Sequence, residues 1–162
     1  MDTETERARN HVQFGPAGIM PCDISDGCVY LKKAAAYANC DAGVLPVEKR
    51  DLIASVCDEI LAGKHNDQFP LVVWQTGSGT QSNMNTNEVI ANRAHVLAGG
   101  TFGDGNTSIH PNDDVNKRQS SNDNFPHGMH MPLDKKVGEK TQPPVHPLLA
   151  TRNNEDQELL DG

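Results

Sequence analysis

The sequence predicts a mainly α-helical fold, and two observations carry that reading. Leu52, Ile53, Val56, Cys57, Ile60 and Leu61 recur at one-and-four spacing, which lays an apolar stripe along one face of a helix. Pro46 precedes the first turn of that stretch and Gly63 follows its last, where start and stop residues belong. Against these helical signals stands one short apolar run, Phe69-Pro70-Leu71-Val72-Val73-Trp74, which reads as a strand or an extended segment.

Taken in order, residues 1 to 27 read as irregular, because Gly15-Pro16, Gly18 and Pro21 break any long element. Gly27 to Asn39 reads as a helix with Leu31, Ala34, Ala35 and Ala38 on one side and Lys32 and Lys33 exposed; Cys40-Asp41-Ala42-Gly43 ends it. The striped helix over 47–62 packs and carries no chemistry. The apolar run then delivers the chain to Gly77. A third helix is expected from Ser82 or Asn83 to Leu97, ended by Ala98-Gly99-Gly100. Thr101 to Ser108 is a loop, and His110 to Asn116 is loop and turn. A fourth helix is expected to begin between Asp123 and Pro126 and to be interrupted at Pro132. Beyond it Pro143, Pro144 and Pro147 lie among charges and few apolar residues. The organisation expected is therefore one domain over 1–131 and a poorly ordered tail over 132–162.

Composition narrows the function. The 162 residues suit one domain, and a formal charge of -8 with no basic stripe excludes nucleic acid and anionic membrane as partners. Hydrophobic residues are 36% and aromatics 4%, which is thin for a self-sufficient core. Met1 to Asn10 is charged and lacks the apolar centre of a signal peptide, so a cytoplasmic protein is expected, with the mitochondrial matrix as the alternative for a eukaryotic source. No apolar run approaches membrane-spanning length. Cys22, Cys28, Cys40 and Cys57 show no CxxC spacing and read as reduced thiols. His127, His130 and His146 are loosely spaced, without a set of Cys or carboxylate partners, so no metal site is expected. Asn106-Thr107-Ser108 is a glycosylation sequon without meaning in a cytoplasmic chain.

Two stretches carry the chemistry. Gly77-Ser78-Gly79-Thr80-Gln81-Ser82-Asn83-Met84-Asn85 runs on to Asn87 and Asn92. His110-Pro111-Asn112-Asp113-Asp114-Val115-Asn116 is followed by Gln119-Ser120-Ser121-Asn122-Asp123. Both are dense in hydroxyls and amides, poor in cations, and hold breaks at which a helix can begin. That combination suits a grip on a small polar anion, since glycines admit backbone N–H groups and a helix N-terminus adds free donors. Taken alone, Gly77-Ser78-Gly79-Thr80 is an ordinary capped turn; it fits neither the phosphate P-loop nor GxGxxG. Asn83 and Asn87 share a helix face, as a solvated face or as a buried polar seam. His110 and Asp113 stand at i, i+3, where a surface turn competes with proton relay or metal binding.

The same stretches resemble the N-terminal segments of class II fumarate hydratases, of the fumarase/aspartase superfamily. The resemblance runs from about Arg7 to His130 and is densest between Ala62 and Asn122. It implies the N-terminal domain of the fumarase/aspartase fold, truncated before the central helix bundle. It implies reversible hydration of fumarate to (S)-malate in a homotetramer that needs no cofactor and no metal. By the same resemblance Ser78, Thr80, Asn83, Ser120, Ser121 and Asn122 bind substrate, and His110, Asn112 and Asp113 form an accessory dicarboxylate site. No catalytic residue is assigned, because the family's histidine region and its mobile Gly-Ser-Ser-x-Met-Pro-x-Lys-x-Asn-Pro loop do not occur in these residues. Thr107 and Ser108 stand where a basic residue is expected, and Arg118, Asn124 and His127 depart from the family's usual Ser, Thr and Thr. Aspartases typically carry Ala at the place of Ser78 and Thr at that of Ser121, which favours fumarase. Two other readings stay open: an aspartase-like ammonia lyase, and a non-catalytic remnant that binds a dicarboxylate or intact subunits.

Overall fold

A computed structural model describes residues 3–11, 18, 20–103 and 107–161. Among them the regular structure is helical: α1 (Thr3–His11), α2 (Cys22–Asp41), α3 (Val47–Leu61), α4 (Thr80–Leu97), α5 (Ser121–Lys136) and α6 (Gln142–Asp161). Short turns of helix cover Asn66–Gln68, Pro111–Val115 and Val137–Thr141.

The core forms where α2, α3 and α4 meet. Ile53, Val56, Cys57 and Ile60 from α3 pack against Val29 and Ala36 of α2 and against Ile90, Ala91 and Ala94 of α4. Ile109 and Val115 close it from the segment that follows. Leu52 and Leu61 are half-buried at its edge, so the expected stripe on α3 is present and its centre is the buried part. Residues 69–74 are extended and form no strand: Met20 N–H donates to the Leu71 carbonyl (2.9 Å) and Val73 N–H to that of Gly18 (2.9 Å).

Several expectations are corrected. The N-terminal region is helical over Thr3–His11, anchored because the Glu88 carboxylate accepts from the backbone N–H groups of Glu4 (2.9 Å) and Thr5 (3.1 Å) at its start. The break expected at Gly15-Pro16 lies outside the described residues. On α2 the buried face is Cys28, Val29, Lys32, Ala36 and Asn39, not the alanines at 34 and 38, and Lys32 is wholly buried. Helix α4 starts at Thr80, two or three residues early.

The chain beyond 131 is helical to Asp161, with almost every described side chain exposed. Pro132 does not interrupt α5. A proline withdraws one N–H from the carbonyl four residues before it, here that of Gly128. Gly128 lies against α2: a Cβ on Gly27 would fall 1.9 Å from the Gly128 oxygen. The two glycines let α2 and α5 touch along their backbones, and that packing holds the helix through the proline.

Candidate functional site

The hydroxyl-rich stretch is built at the N-terminus of α4. Gly79, at φ 67°, is the residue before that helix, and a Cβ there would fall 2.1 Å from Cγ of Phe125. Only glycine meets both demands, and its absence of side chain lets α5 dock on the start of α4. The first N–H groups of any helix have no carbonyl partner inside it. Two such ends, at Thr80 and Ser121, are thereby brought together.

A chain of hydrogen bonds spans them. Thr76 Oγ1 lies 3.2 Å from Ser78 Oγ, and Ser78 Oγ lies 3.1 Å from Thr80 Oγ1. Thr80 donates to Asn122 Oδ1 at 2.6 Å, a contact across 42 residues of sequence. Ser121 Oγ reaches the same oxygen at 3.5 Å. Ser78, Thr80 and Ser121 thus form one open cluster of hydroxyls around the Asn122 amide, whose oxygen accepts from two of them. Ser120 stands beside it as the cap of α5, accepting from Asp123 N–H at 3.3 Å. Arg118 holds a left-handed backbone at φ 57° on the approach to that cap.

Asn83 is elsewhere. It is fully buried one turn along α4, with its side chain spent inside the protein. Its Nδ2 donates to Asn116 Oδ1 (3.1 Å) and its Oδ1 accepts from Asn124 (3.2 Å). Asn87 donates to the same Asn116 oxygen at 3.2 Å. The seam reading of Asn83 and Asn87 is therefore the one the structure shows.

The second predicted group sits on the turn Pro111–Val115. His110 caps it, with Nδ1 accepting from Asp113 N–H at 3.2 Å, and His110, Asn112 and Asp113 are exposed together. Asp114 beside them is buried and structural: it accepts from Lys49 Nζ (2.7 Å) and from His110 N–H (2.8 Å). Among the described residues no group of His, Cys, Asp and Glu side chains could hold a metal ion, and the four cysteines are free thiols. A cavity of about 260 Å³, lined by Thr5 of α1 and by Asn85, Glu88 and Arg93 of α4 among others, shares no residue with the hydroxyl cluster. Its charged walls are already paired, Glu88 with Thr5 and Arg93 with Glu59.

Sequence reasoning missed Lys32, Asn116, Gln119 and Asn124, which lie behind the cluster. The signal for Lys32 was its place four residues from Cys28 and Ala36, on the face that packs.

Comparisons with known proteins fit this architecture. A family model described as Lyase matches residues 1–161. Class II fumarate hydratase of Haemophilus influenzae is 66% identical over 148 residues, covering 91% of this chain and 32% of the relative. That of Staphylococcus aureus is 46% identical over 159 residues, covering 98% and 34%. The crystal structure of recombinant class II fumarase from Schistosoma mansoni superposes with a TM-score of 0.86 at 36% identity, covering 96% of this chain and 33% of that one. Fumarate lyase:delta crystallin from Brucella melitensis, in native form, gives 0.82 at 37% identity over 97% and 36%. The chain spans about a third of the length of the curated relatives it matches. Its match to the family model over nearly every residue, with the fold those structures share, places the chain in the lyase family, where it resembles the N-terminal part of class II fumarate hydratases.

Proposed function

We propose that this chain supplies the carboxylate-binding N-terminal part of a class II fumarate hydratase. The reaction adds water across a carbon–carbon double bond: hydroxide joins one carbon, a proton joins the other, and fumarate becomes (S)-malate. In the reverse direction a base removes the proton alpha to a carboxylate, and the charge that develops on that carboxylate must meet aimed donors.

The observation that carries this reading is the hydroxyl chain from Thr76 through Ser78 and Thr80 to Asn122, lying where the first turns of α4 and α5 meet. Its hydroxyls can turn their hydrogens from one another toward an anion, and the helix N-termini favour negative charge. Ser78, Thr80, Ser121 and Asn122 would contact the carboxylate directly. Asn83 would act from behind, and Ser120 by holding the end of α5. His110, Asn112 and Asp113 would form the accessory dicarboxylate site, with the exposed imidazole as its donor.

No cofactor or metal is assigned. The proton-transfer groups would come from elsewhere in the intact enzyme, including residues of other subunits in a cytoplasmic homotetramer. Supporting assembly, Leu133, Val137, Val145, Leu148 and Leu149 are exposed along α5, the turn after it and α6. A face of that kind is ordinarily covered by a partner.

A chimera tests the reading. Residues 62–131 replace their counterpart in an intact class II fumarase, with Arg118→Ser to restore the family's residue. A hydrogen bond to a charged group contributes about 1.5–3 kcal/mol, so Thr80→Ala should lower kcat/KM roughly tenfold to a hundredfold. His127→Ala should leave it unchanged. The chain by itself should form no malate above a heat-killed control. Undiminished catalysis in the Thr80→Ala chimera removes the carboxylate contact.

A further inference from the structure

Lys32 is wholly buried near the middle of α2 and has no role in the carboxylate contacts proposed above. Its Nζ donates to Asn116 Oδ1 (2.8 Å) and to Gln119 Oε1 (3.0 Å). An ammonium group only donates, so both amides must turn their oxygens toward it. Their NH2 groups then face outward: Asn116 Nδ2 donates to the Gln119 carbonyl (3.1 Å), and Gln119 Nε2 to that of Val115 (2.9 Å).

The orientation propagates. Since Asn116 shows an oxygen, Asn83 and Asn87 must show it their NH2 groups. Asn83 therefore has only its oxygen left for Asn124, whose NH2 bridges Asn83 Oδ1 (3.2 Å) and Gln119 Oε1 (3.1 Å). The amide hydrogens of Asn124, Asn83 and Asn87 all run toward the oxygens that Lys32 holds. A ring of amides alone has no such preference, because each can reverse its oxygen and nitrogen. One buried acceptor, Asn87 Oδ1, is left without a partner, the cost of turning its NH2 toward Asn116.

Asn83 stands three residues after Thr80 on α4, and Asn124 two after Asn122 on α5. The array therefore ties together the first turns of the two helices that carry the hydroxyl cluster. We propose that Lys32 is a positioning residue for the anion site: its buried ammonium sets the direction of the Asn116, Gln119, Asn83 and Asn124 amides, which fix the ends of α4 and α5 for a carboxylate. The word carboxylate rests on the function proposed above; the orientation of the array does not.

A satisfied structural lysine is the competing account. It leaves unexplained why a cation occupies a place that an apolar chain of like length could fill without losing hydration. Burial pushes the Lys32 ammonium down to about 7, and among the described residues no carboxylate offsets it. The titratable groups that face it are Cys28 of α2 and Cys57 of α3, thiols pushed up by burial to about 11 and about 12 and so neutral near pH 7. From the 111–119 segment it meets the neutral amides of Asn116 and Gln119, and these in turn meet the amides of Asn83 on α4 and Asn124 on α5.

Side-chain amide signals of the full 15N-labelled chain test the proposal without any ligand. In the unsubstituted chain, the Asn116, Gln119, Asn83 and Asn124 signals should move together with a midpoint matching the titration of Lys32 Nζ. Asn85, which donates to Thr5 Oγ1 and the Gln68 carbonyl, should stay still. In Lys32→Met the same four should lose that transition and shift or double, as should the backbone signals of Thr80, Gln81, Ser121 and Asn122, while helical circular dichroism is kept. A folded Lys32→Met chain with all those signals in place overturns the proposal. If that variant does not fold, the unsubstituted titration decides: array amides indifferent to the Lys32 transition overturn it equally. Loss of the Thr80 effect in the chimera would instead remove the carboxylate reading and leave the array intact.

Discussion

Two regions of this molecule are equally dry and differently built. Ile53, Val56 and Ile60 in the core are 1%, 0% and 1% exposed; Lys32, Asn83 and Asn87 in the seam are all 0%. The same helices supply both: α2 gives Val29 to the core and Lys32 to the seam, and α4 gives Ile90 and Asn87. Burial therefore says nothing about how a region is held. The core is held by apolar area removed from water, which has no direction. The seam is held by hydrogen bonds whose donors and acceptors must alternate in one sense. Side chains of similar size can be exchanged in the first at small cost. In the second, one reversed amide strands its neighbours, which makes it suited to fixing the geometry of a binding site beside it.

The largest expected effect breaks the core. Ile60→Ala should destabilise the chain by about 2–5 kcal/mol, through lost apolar transfer and the cavity left behind. Denaturant unfolding measures this, and a midpoint equal to the parent's would remove α3 from the core. Leu52→Ala, at the half-buried edge, should cost less.

The next effect is the seam's counterpart. Asn116 Oδ1 accepts from Lys32, Asn83 and Asn87 at once. Asn116→Ala should cost about 1–3 kcal/mol for the buried donors left unpaired. It should also release the start of α5, seen as faster backbone hydrogen exchange at Asp123 and Asn124. Exchange at Ile90, in the core, should be slowed or quickened only as far as global stability changes. Equal loss of protection in both places would mean that the seam has no local role.

These two regions also differ in what their residues disclose. The stripe on α3 was legible because burial against one partner surface leaves a period of 3.6 in the sequence. The hydroxyl cluster was legible through Ser78, Thr80 and Asn122, whose types suit anion binding and whose motif resembles a known family. Lys32 was marked only by its i±4 place between Cys28 and Ala36, which the adjacent Lys33 masks by making the pair read as a solvated face, and its amide partners lie 84 and 87 residues away. For Asn83 the sequence offered a buried polar seam as the alternative to a solvated face, and the structure shows the seam, but its partners could not be read. Its neighbours in space, Asn116 and Asn124, lie 33 and 41 residues away. The helix through Pro132 was hidden for a similar reason: its support is Gly27 of α2, which local propensity does not see.

The smallest expected effect lies at the rim shared by α3 and α4, and it sharpens the contrast between a charge in the seam and a charge near water. Arg93 grips Glu59 with two hydrogen bonds, 2.7 and 3.0 Å, and His65 adds a third at 3.0 Å. The hydrogen bond from Arg93, then that from His65, hold the Glu59 carboxyl down to about 2. A carboxyl lowered on folding binds fewer protons in the native state, so its contribution is present above the ordinary value of 4.5 and is lost as pH falls from there toward about 2. Lys32 runs the other way. Its ammonium is lowered from 10.5 to about 7, so its burial costs most below pH 7 and the cost fades as pH rises through that interval. Glu59 is partly solvated, which limits the pair to about 0.5–1 kcal/mol. Glu59→Gln should therefore lower stability by that amount at pH 7, and the gap to the parent should narrow as pH falls below 4.5 toward about 2. Lys32→Met should instead gain on the parent below pH 7 and lose that advantage by pH 10. Urea unfolding of the three proteins across this range decides both. A Glu59→Gln gap that stays constant into acid would mean that the ion pair adds nothing beyond a neutral hydrogen bond.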